Sequence, residues 1–278
     1  MNFAALYRTR EVSCSGTSAK LRLVLTSTTM QAKDSHSNSS TSTAIIVHPT
    51  FEKGILSAII PSFQKERNIV IDFCKKRPQL YLIRQGERGS SDNVGLVSWP
   101  SGIYLAKYFA SMKPDTFKNA NVIEIGCGCC PLPSMVLAEL GANVVATDGY
   151  SSVLNLSREN IHINWSRNLH DPGSKIPETR LLEWGENDAV NKLSRTKSFD
   201  YIVAADVIYY EKVHTKLITT LSKLSHAGTR IFIAFQIRLH AFEGTFFSEK
   251  LPASGFSSSV VWTSGTEPQV KIAEIRKM

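Results

Sequence analysis

Apolar and polar positions alternate with two different periods along residues 95–278. Short apolar runs, which are typical of buried strands, occupy residues 122–125, 144–147, 179–182, 200–205 and 230–235. Longer amphipathic segments lie between them, at residues 133–140, 152–163, 188–193 and 214–225. An earlier helix is predicted because apolar side chains recur at helical spacing at Leu105, Tyr108, Phe109 and Met112. This regular alternation predicts a parallel sheet with helices on both faces.

The end of the chain departs from a purely parallel pattern. A predicted helix at residues 242–251 precedes two apolar runs, residues 258–262 and 270–275, which only a short glycine-containing turn separates. A parallel crossover needs a longer connection, so these two strands should be antiparallel to each other. The sequence therefore predicts an α/β fold: a Rossmann-like seven-stranded sheet, mostly parallel, with a C-terminal antiparallel hairpin.

The N-terminal third differs in composition from the rest. Residues 1–43 are rich in Ser and Thr and show little hydrophobic periodicity, which predicts a disordered tail. Their acid-poor character is also typical of a mitochondrial transit peptide, so import is an open alternative. Residues 44–94 contain short apolar runs broken by prolines, which predicts an extension with short strands that packs on a main domain at residues 95–278.

Composition narrows the classes of partner. The chain is 42% hydrophobic and 20% charged, and no run approaches the roughly 18 apolar residues of a membrane span. Its formal net charge of +8 comes from scattered Lys and Arg rather than from the basic clusters typical of nucleic-acid-binding proteins. We expect no membrane or nucleic-acid partner, an acidic protein as a candidate partner, and a monomer in the cytoplasm or the nucleus.

Three of the five cysteines crowd one turn. Cys127, Cys129 and Cys130 lack the paired spacing of zinc ligands, and disulfide geometry within so short a segment is poor. We therefore predict small buried thiols in a reducing compartment and no metal site.

This turn follows a predicted strand and contains two glycines, Gly126 and Gly128. A dinucleotide fingerprint would place a third glycine at residue 131, where the chain has Pro131. Glu124 within the strand would repel a pyrophosphate, and Asp148 at the end of the next strand can accept hydrogen bonds from ribose hydroxyls. S-adenosylmethionine, which has a ribose and a cationic end but no phosphate, fits this pattern better than a nicotinamide cofactor.

The motif Glu124-Ile-Gly126-Cys-Gly128 resembles the glycine motif of seven-strand methyltransferases. Further motifs resemble methyltransferase family 16, a group of protein-lysine methyltransferases with a D-x-x-Y motif: Gly95-Leu-Val-Ser-Trp99-Pro, Leu182-Glu-Trp184-Gly and Ala204-Ala-Asp206-Val-Ile-Tyr209. The resemblance covers roughly residues 95–276. It implies S-adenosylmethionine as the cofactor and a lysine of a protein substrate, of the calmodulin, elongation factor or chaperone type, as the methyl acceptor.

The resemblance also implies residue roles. The cofactor-binding residues would be Trp99, Glu124, Gly126, Gly128, Asp148, Trp184 and Ala205. Glu124 and the two glycines would line the methionine side, Asp148 would bind the ribose, Trp184 and Ala205 would border the adenine, and Trp99 would cover the cofactor. Asp206 and Tyr209 would be catalytic: Asp206 would orient the lysine amine or pass its proton towards solvent, and Tyr209 would offer its ring to the lysine stem and its oxygen to the nitrogen.

Other interpretations stay open at this point. Both tryptophans could serve core packing alone, and Asp148 and Asp206 could be helix caps. The same cofactor site would serve an arginine or small-molecule methyltransferase. Cys130 replaces the third glycine of the family motif, which is the sequence feature that favours a catalytically weak scaffold protein.

Overall fold

The computed structural model describes residues 6–13, 22–29, 44–49, 65–72, 79–86, 91–166, 174–236, 240–265 and 269–278. The chain divides into two compact units, Met1–Pro61 and Ser62–Met278. None of the helices in these described ranges combines the length and the apolar character that crossing a membrane requires.

The first unit contains a three-stranded antiparallel sheet. Its strands are β1 (Leu6–Ser13), β2 (Arg22–Thr29) and β3 (Ala44–Pro49), in the order β1-β2-β3. The first two strands lie within the range for which the sequence predicts a tail. The tail and the domain boundaries at residues 43 and 94 stay predictions.

The second unit is built on a seven-stranded sheet. Its strands are β6 (Asn121–Ile125), β7 (Asn143–Asp148), β8 (Glu178–Leu181), β9 (Tyr201–Ala205), β10 (Arg230–Gln236), β11 (Phe256–Thr263) and β12 (Val270–Lys277). They lie in the order β11-β12-β10-β9-β6-β7-β8, with β6 to β10 parallel and β12 antiparallel to both of its neighbours. This topology confirms the predicted mostly parallel sheet with a C-terminal hairpin.

Helices cover both faces of the sheet. One face carries α1 (Pro100–Ala110), α2 (Leu132–Glu139) and α3 (Ser151–Trp165). The other face carries α4 (Asp188–Thr196), α5 (His214–Leu224) and a helical segment made of α6 (His240–Thr245), a π-helical turn (Phe246–Lys250) and α7 (Leu251–Ala253).

A two-stranded hairpin extends the core of this unit on the α1 and α3 side. Its strands are β4 (Lys65–Ile71) and β5 (Gln79–Gln85). Ile71, Tyr81 and Ile83 are buried in the same apolar cluster as Phe109 of α1. This part of the predicted extension therefore packs on the main domain, while residues 50–64 of that extension lie outside the described residues.

The inner parallel strands, β6, β7, β9 and β10, are mostly buried because helices cover both faces of the sheet, whereas the edge strand β8 is largely exposed. In β9, Val203 contacts the α1 side, whereas Ile202 and Ala204 contact the α5 side. Phe232 of β10 packs edge-on against Phe109, with ring centroids 5.6 Å apart. The order of the strands reverses between β6 and β9, and open α/β sheets bind their ligands at such a point, outside the carboxyl ends of the strands.

Candidate functional site

The glycine turn follows β6 at the point where the strand order reverses. Gly126 and Gly128 have φ values of +68° and +60°, a left-handed conformation that favours glycine. A Cβ at Gly126 would lie 2.9 Å from the ring of Trp184, and one at Gly128 would lie 3.2 Å from the carbonyl oxygen of Gly95. Close packing by the protein itself therefore requires both glycines.

Asp148 fastens this turn to the end of β7. Its Oδ2 accepts a hydrogen bond from the Gly128 N–H at 3.0 Å, and its Oδ1 accepts one from the Tyr150 N–H at 3.1 Å. Burial raises the pKa of Asp148, and the backbone N–H groups that bind the carboxylate partly offset this effect. The carboxylate predicted to bind a ribose thus lies directly against the glycine turn.

Glu124 points from β6 to the first turn of α2. Its Oε2 accepts hydrogen bonds from the Ser134 N–H at 3.0 Å and from the Ser134 hydroxyl. The side chain is only 2% exposed. Burial raises the pKa of Glu124 to about 8, although the two Ser134 bonds favour the charged form. The carboxylate therefore occupies the N-terminus of α2, where Pro131 and Pro133 provide no N–H group.

A short 3-10 helix, Ser91–Leu96, and the residues after it lie over the glycine turn. The Cys129 N–H donates to the carbonyl oxygen of Gly95 at 2.7 Å. Trp99, which directly precedes α1, donates from Nε1 to the carbonyl oxygen of Val94 at 2.9 Å. This bond fixes the indole ring to the segment that contacts the turn.

Trp184 and Ala205 lie on opposite faces of the sheet. Trp184 follows β8, packs over Gly126 and belongs to the cluster on the α5 side. Ala205 ends β9 and packs on the α1 side, where its Cβ would lie 3.9 Å from a Cβ at Gly102. Their predicted common role at the adenine stays a prediction.

Asp206 follows β9 in an unusual backbone conformation. Its φ is +55°, which costs energy for a residue other than glycine and is tolerated best by Asn and Asp. Its N–H donates to the carbonyl oxygen of Ala234 at 2.9 Å, and the residue is 7% exposed. Three residues later, Tyr209 is 44% exposed. The D-x-x-Y motif thus places a buried carboxylate beside an aromatic ring that is open to solvent.

The three cysteines of the turn differ in their surroundings. Cys127 and Cys129 are buried, and burial raises the pKa of both thiols. Cys130, which replaces the third glycine of the motif, is half-buried and packs against the apolar cluster formed by α1 and α2. Among the described residues, no three His, Cys, Asp or Glu side chains come together as a metal-binding group.

Sequence reasoning missed two polar side chains that support the site. Asn160 of α3 donates from Nδ2 to the carbonyl oxygen of Cys129 at 2.7 Å. His214 of α5 is fully buried, and its Nε2 lies 2.9 Å from the carbonyl oxygen of Ile208 within the D-x-x-Y motif. Neither residue lies in a recognisable motif. The packing of its helix brings each residue to the site, so no local sequence pattern could have identified it.

Comparisons with known proteins show which family the chain resembles. The family model described as lysine methyltransferase, methyltransferase family 16, matches residues 76–251. The protein-lysine methyltransferase METTL21E of Bos taurus is 34% identical over 151 residues, which cover 54% of this chain and 50% of the relative. The calmodulin-lysine N-methyltransferase of Arabidopsis thaliana is 32% identical over 165 residues, which cover 54% of this chain and 51% of the relative. The chain thus spans about half the length of these two relatives.

A solved structure supports the fold alone. The 16S rRNA N2 G1207 methyltransferase RsmC of T. thermophilus superimposes with a TM-score of 0.52 at 14% identity, and the alignment covers 88% of this chain and 57% of that chain. Because the family model matches more than half of the residues, the chain belongs to the lysine methyltransferase family, methyltransferase family 16.

Proposed function

We propose that this protein transfers a methyl group from S-adenosylmethionine to a lysine side chain of a protein substrate. Membership in the lysine methyltransferase family supports the reaction class. Two relatives whose names specify methylation of protein lysines, one of them of calmodulin, support a protein as the acceptor.

The position of Glu124 is the observation that carries the choice of cofactor. In a dinucleotide-binding fold, the pyrophosphate sits at the N-terminus of the first helix. Here the carboxylate of Glu124 already accepts the Ser134 N–H at that place, and Pro131 and Pro133 have no N–H to offer. A phosphate would meet the Glu124 side chain, which already occupies the Ser134 N–H, instead of free donors, whereas S-adenosylmethionine has no phosphate to place there.

The remaining residues fit a nucleoside with a cationic end. The carboxylate of Asp148 accepts the backbone N–H groups of Gly128 and Tyr150, and its remaining lone pairs would accept the ribose hydroxyls. Backbone at Gly126 and Gly128 and the acid at Glu124 would line the methionine part, while Trp184 and Ala205 would border the adenine and Trp99 would cover the ligand. The half-buried side chain of Cys130 packs against the apolar cluster of the core, which supports binding despite the lost glycine.

When bound, S-adenosylmethionine supplies an electrophilic methyl group on a positively charged sulfur. The chain must present a neutral lysine amine in line with it. A free lysine has a pKa of about 10.4, so deprotonation at neutral pH costs roughly 5 kcal/mol. Asp206 would orient the amine and pass its proton towards solvent, and Tyr209 would contact the lysine stem with its ring and the amine with its hydroxyl oxygen.

The exposure of the motif supports a macromolecular acceptor. Tyr209 and Tyr210 are 44% and 46% exposed, so this edge is open rather than a narrow closed pocket. The net charge of +8 favours an acidic protein over a basic one. We further propose that the protein acts as a monomer in the cytoplasm.

Calorimetric titration with S-adenosylmethionine, S-adenosylhomocysteine and NAD tests the cofactor, and methyl transfer to cell extract tests the reaction. We expect the two sulfur compounds to bind and NAD not to bind. Asp206→Asn, which keeps the left-handed backbone accessible, should lower kcat by roughly 10²- to 10⁴-fold and leave S-adenosylhomocysteine affinity nearly unchanged.

Asp200→Asn is the matched control, because Asp200 directly precedes the same strand. Its Oδ2 accepts the Asn121 N–H at 2.7 Å, and its side chain makes no other hydrogen bond to the described residues. It should retain full activity. Selective binding of NAD would refute the proposed cofactor, and full activity of Asp206→Asn would refute the assigned role of the motif.

A further inference from the structure

Two buried asparagines on α3, Asn160 and Asn164, bind the backbone of β5 one helical turn apart. Asn164 accepts the Leu82 N–H at 2.9 Å and donates to the Leu82 carbonyl oxygen at 2.8 Å. Asn160 accepts the Arg84 N–H at 2.8 Å and donates to the Arg84 carbonyl oxygen at 2.9 Å. Each side-chain amide thus presents to β5 the donor and the acceptor that a neighbouring strand would present.

The second donor of each amide distinguishes the two residues. Nδ2 of Asn160 also donates to the carbonyl oxygen of Cys129 in the glycine turn, at 2.7 Å. Nδ2 of Asn164 instead donates to the carbonyl oxygen of Asn160 within its own helix, at 2.7 Å. Both residues therefore hold the hairpin, but Asn160 also joins the hairpin to the glycine turn.

The end of β5 also binds residues 96–98, which lie over the glycine turn. Oε1 of Gln85 accepts hydrogen bonds from the N–H and the hydroxyl of Ser98, at 2.7 and 3.0 Å, directly before Trp99. The Gly86 N–H donates to the carbonyl oxygen of Leu96 at 2.8 Å. Residues 84–86 are therefore linked to the glycine turn through Asn160 and bind residues 96–98, which lie over that turn, directly.

We propose that Asn160 is a positioning residue for the cofactor, which fixes the carbonyl of Cys129 and so holds the glycine turn in its binding conformation. This inference rests on the proposed function. A turn with Gly126 and Gly128 has wide backbone freedom, so it needs anchors from outside. The side chain of Asn160 provides one that is fully buried and shielded from competing water. Without this anchor, part of the binding free energy would be used to order the turn, so the affinity for the cofactor would fall.

Asn160→Ser and Asn164→Ser form a matched pair for the test. Each substitution removes three of the hydrogen bonds described above, and each loosens β5, but only Asn160→Ser releases the glycine turn. We expect both variants to unfold at a similarly lowered temperature. Calorimetry should show that Asn160→Ser weakens S-adenosylhomocysteine binding by about tenfold, and Asn164→Ser by less than about threefold.

Steady-state kinetics adds a readout that general destabilisation does not move. Asn160→Ser should raise the KM for S-adenosylmethionine by about the same factor and leave kcat at saturation nearly unchanged. Equal affinity losses in the two variants, or an unchanged affinity in folded Asn160→Ser, would overturn the inference. If the wild-type protein itself binds neither sulfur compound, the proposed function fails instead.

Aspartate substitutions at the same two positions test the inference if the serine variants do not fold. Asn160→Asp keeps the side-chain shape and the bond from the Arg84 N–H, but it turns an oxygen towards the carbonyl of Cys129. We expect it to weaken S-adenosylhomocysteine binding more than Asn164→Asp does. The opposite order, or equal affinities, would again overturn the role of Asn160.

Discussion

Replacing Glu124 with glutamine should remove a loss of folding stability that the wild-type protein undergoes as the pH rises. The carboxyl group is buried beside Ser134, and burial is the largest cause that raises its pKa from 4.5 to about 8. The nearby Asp148 raises the pKa further, whereas the two bonds from Ser134 lower it. Glutamine keeps the shape and an oxygen that can accept the Ser134 N–H, but it does not titrate.

The sign and size follow from proton linkage. The folded protein holds the Glu124 proton up to about pH 8, whereas the unfolded chain releases it near 4.5. The protonated group's stabilising contribution is therefore complete below pH 4.5 and is lost as the pH rises towards 8. The difference between the two pKa values corresponds to roughly 5 kcal/mol, at about 1.4 kcal/mol for each pH unit.

Urea unfolding from about pH 5 to about pH 9 measures this effect. The free energy of unfolding of Glu124→Gln, minus that of the wild type, should increase by about 1.4 kcal/mol per pH unit and then level off above pH 8. A difference that stays constant across this range would refute the reasoning, because it would mean that Glu124 has the same pKa in both states.

Glu274→Gln provides a control of opposite sign. Glu274 binds Arg230 at 2.9 Å, and this partner lowers the pKa of its carboxyl group. Its stabilising effect is complete above the unfolded pKa of about 4.5 and is lost only as the pH falls below that value. The difference between this variant and the wild type should therefore be constant from about pH 6 to about pH 9.

Three further substitutions and one deletion test other parts of the structure. Gly126→Ala adds a Cβ 2.9 Å from Trp184 and should lower the melting temperature more than Gly255→Ala, whose φ of +80° carries backbone strain without a neighbour within 4 Å; equal losses would contradict the packing argument. Phe232→Ala empties a fully buried site and should cost about 3–5 kcal/mol in urea unfolding, and a cost below about 1 kcal/mol would count against that core. Tyr209→Phe should change unfolding by less than about 0.5 kcal/mol because the ring is half exposed, yet lower kcat in the methyl-transfer assay. Deleting residues 1–43 should leave S-adenosylmethionine affinity unchanged in calorimetry, and a complete loss would show that the domain boundary is misplaced.

Much of the fold could be predicted because its inner parallel strands are buried on both faces. Such strands appear as continuous apolar runs, so β6, β7, β9 and β10 were found within one residue or so of their observed starts. The short connection between β11 and β12 required an antiparallel pair, as observed. The glycine turn, Asp148 and the D-x-x-Y motif could be predicted for a similar reason, since each lies at the end of a strand or directly after it.

For residues 95–278, the sequence by itself thus determined the order of the elements, the fold and the family-type motifs at the strand ends, because those depend on local periodicity and spacing. Only the tertiary structure decided which distant groups meet. It brought Asn160 to Arg84 and Cys129, and it turned Glu124 onto the first turn of α2. It also set the ring of Trp184 against Gly126. No local pattern encodes these pairs, because buried polar groups take whichever partners the packing of helices and strands places within hydrogen-bonding distance.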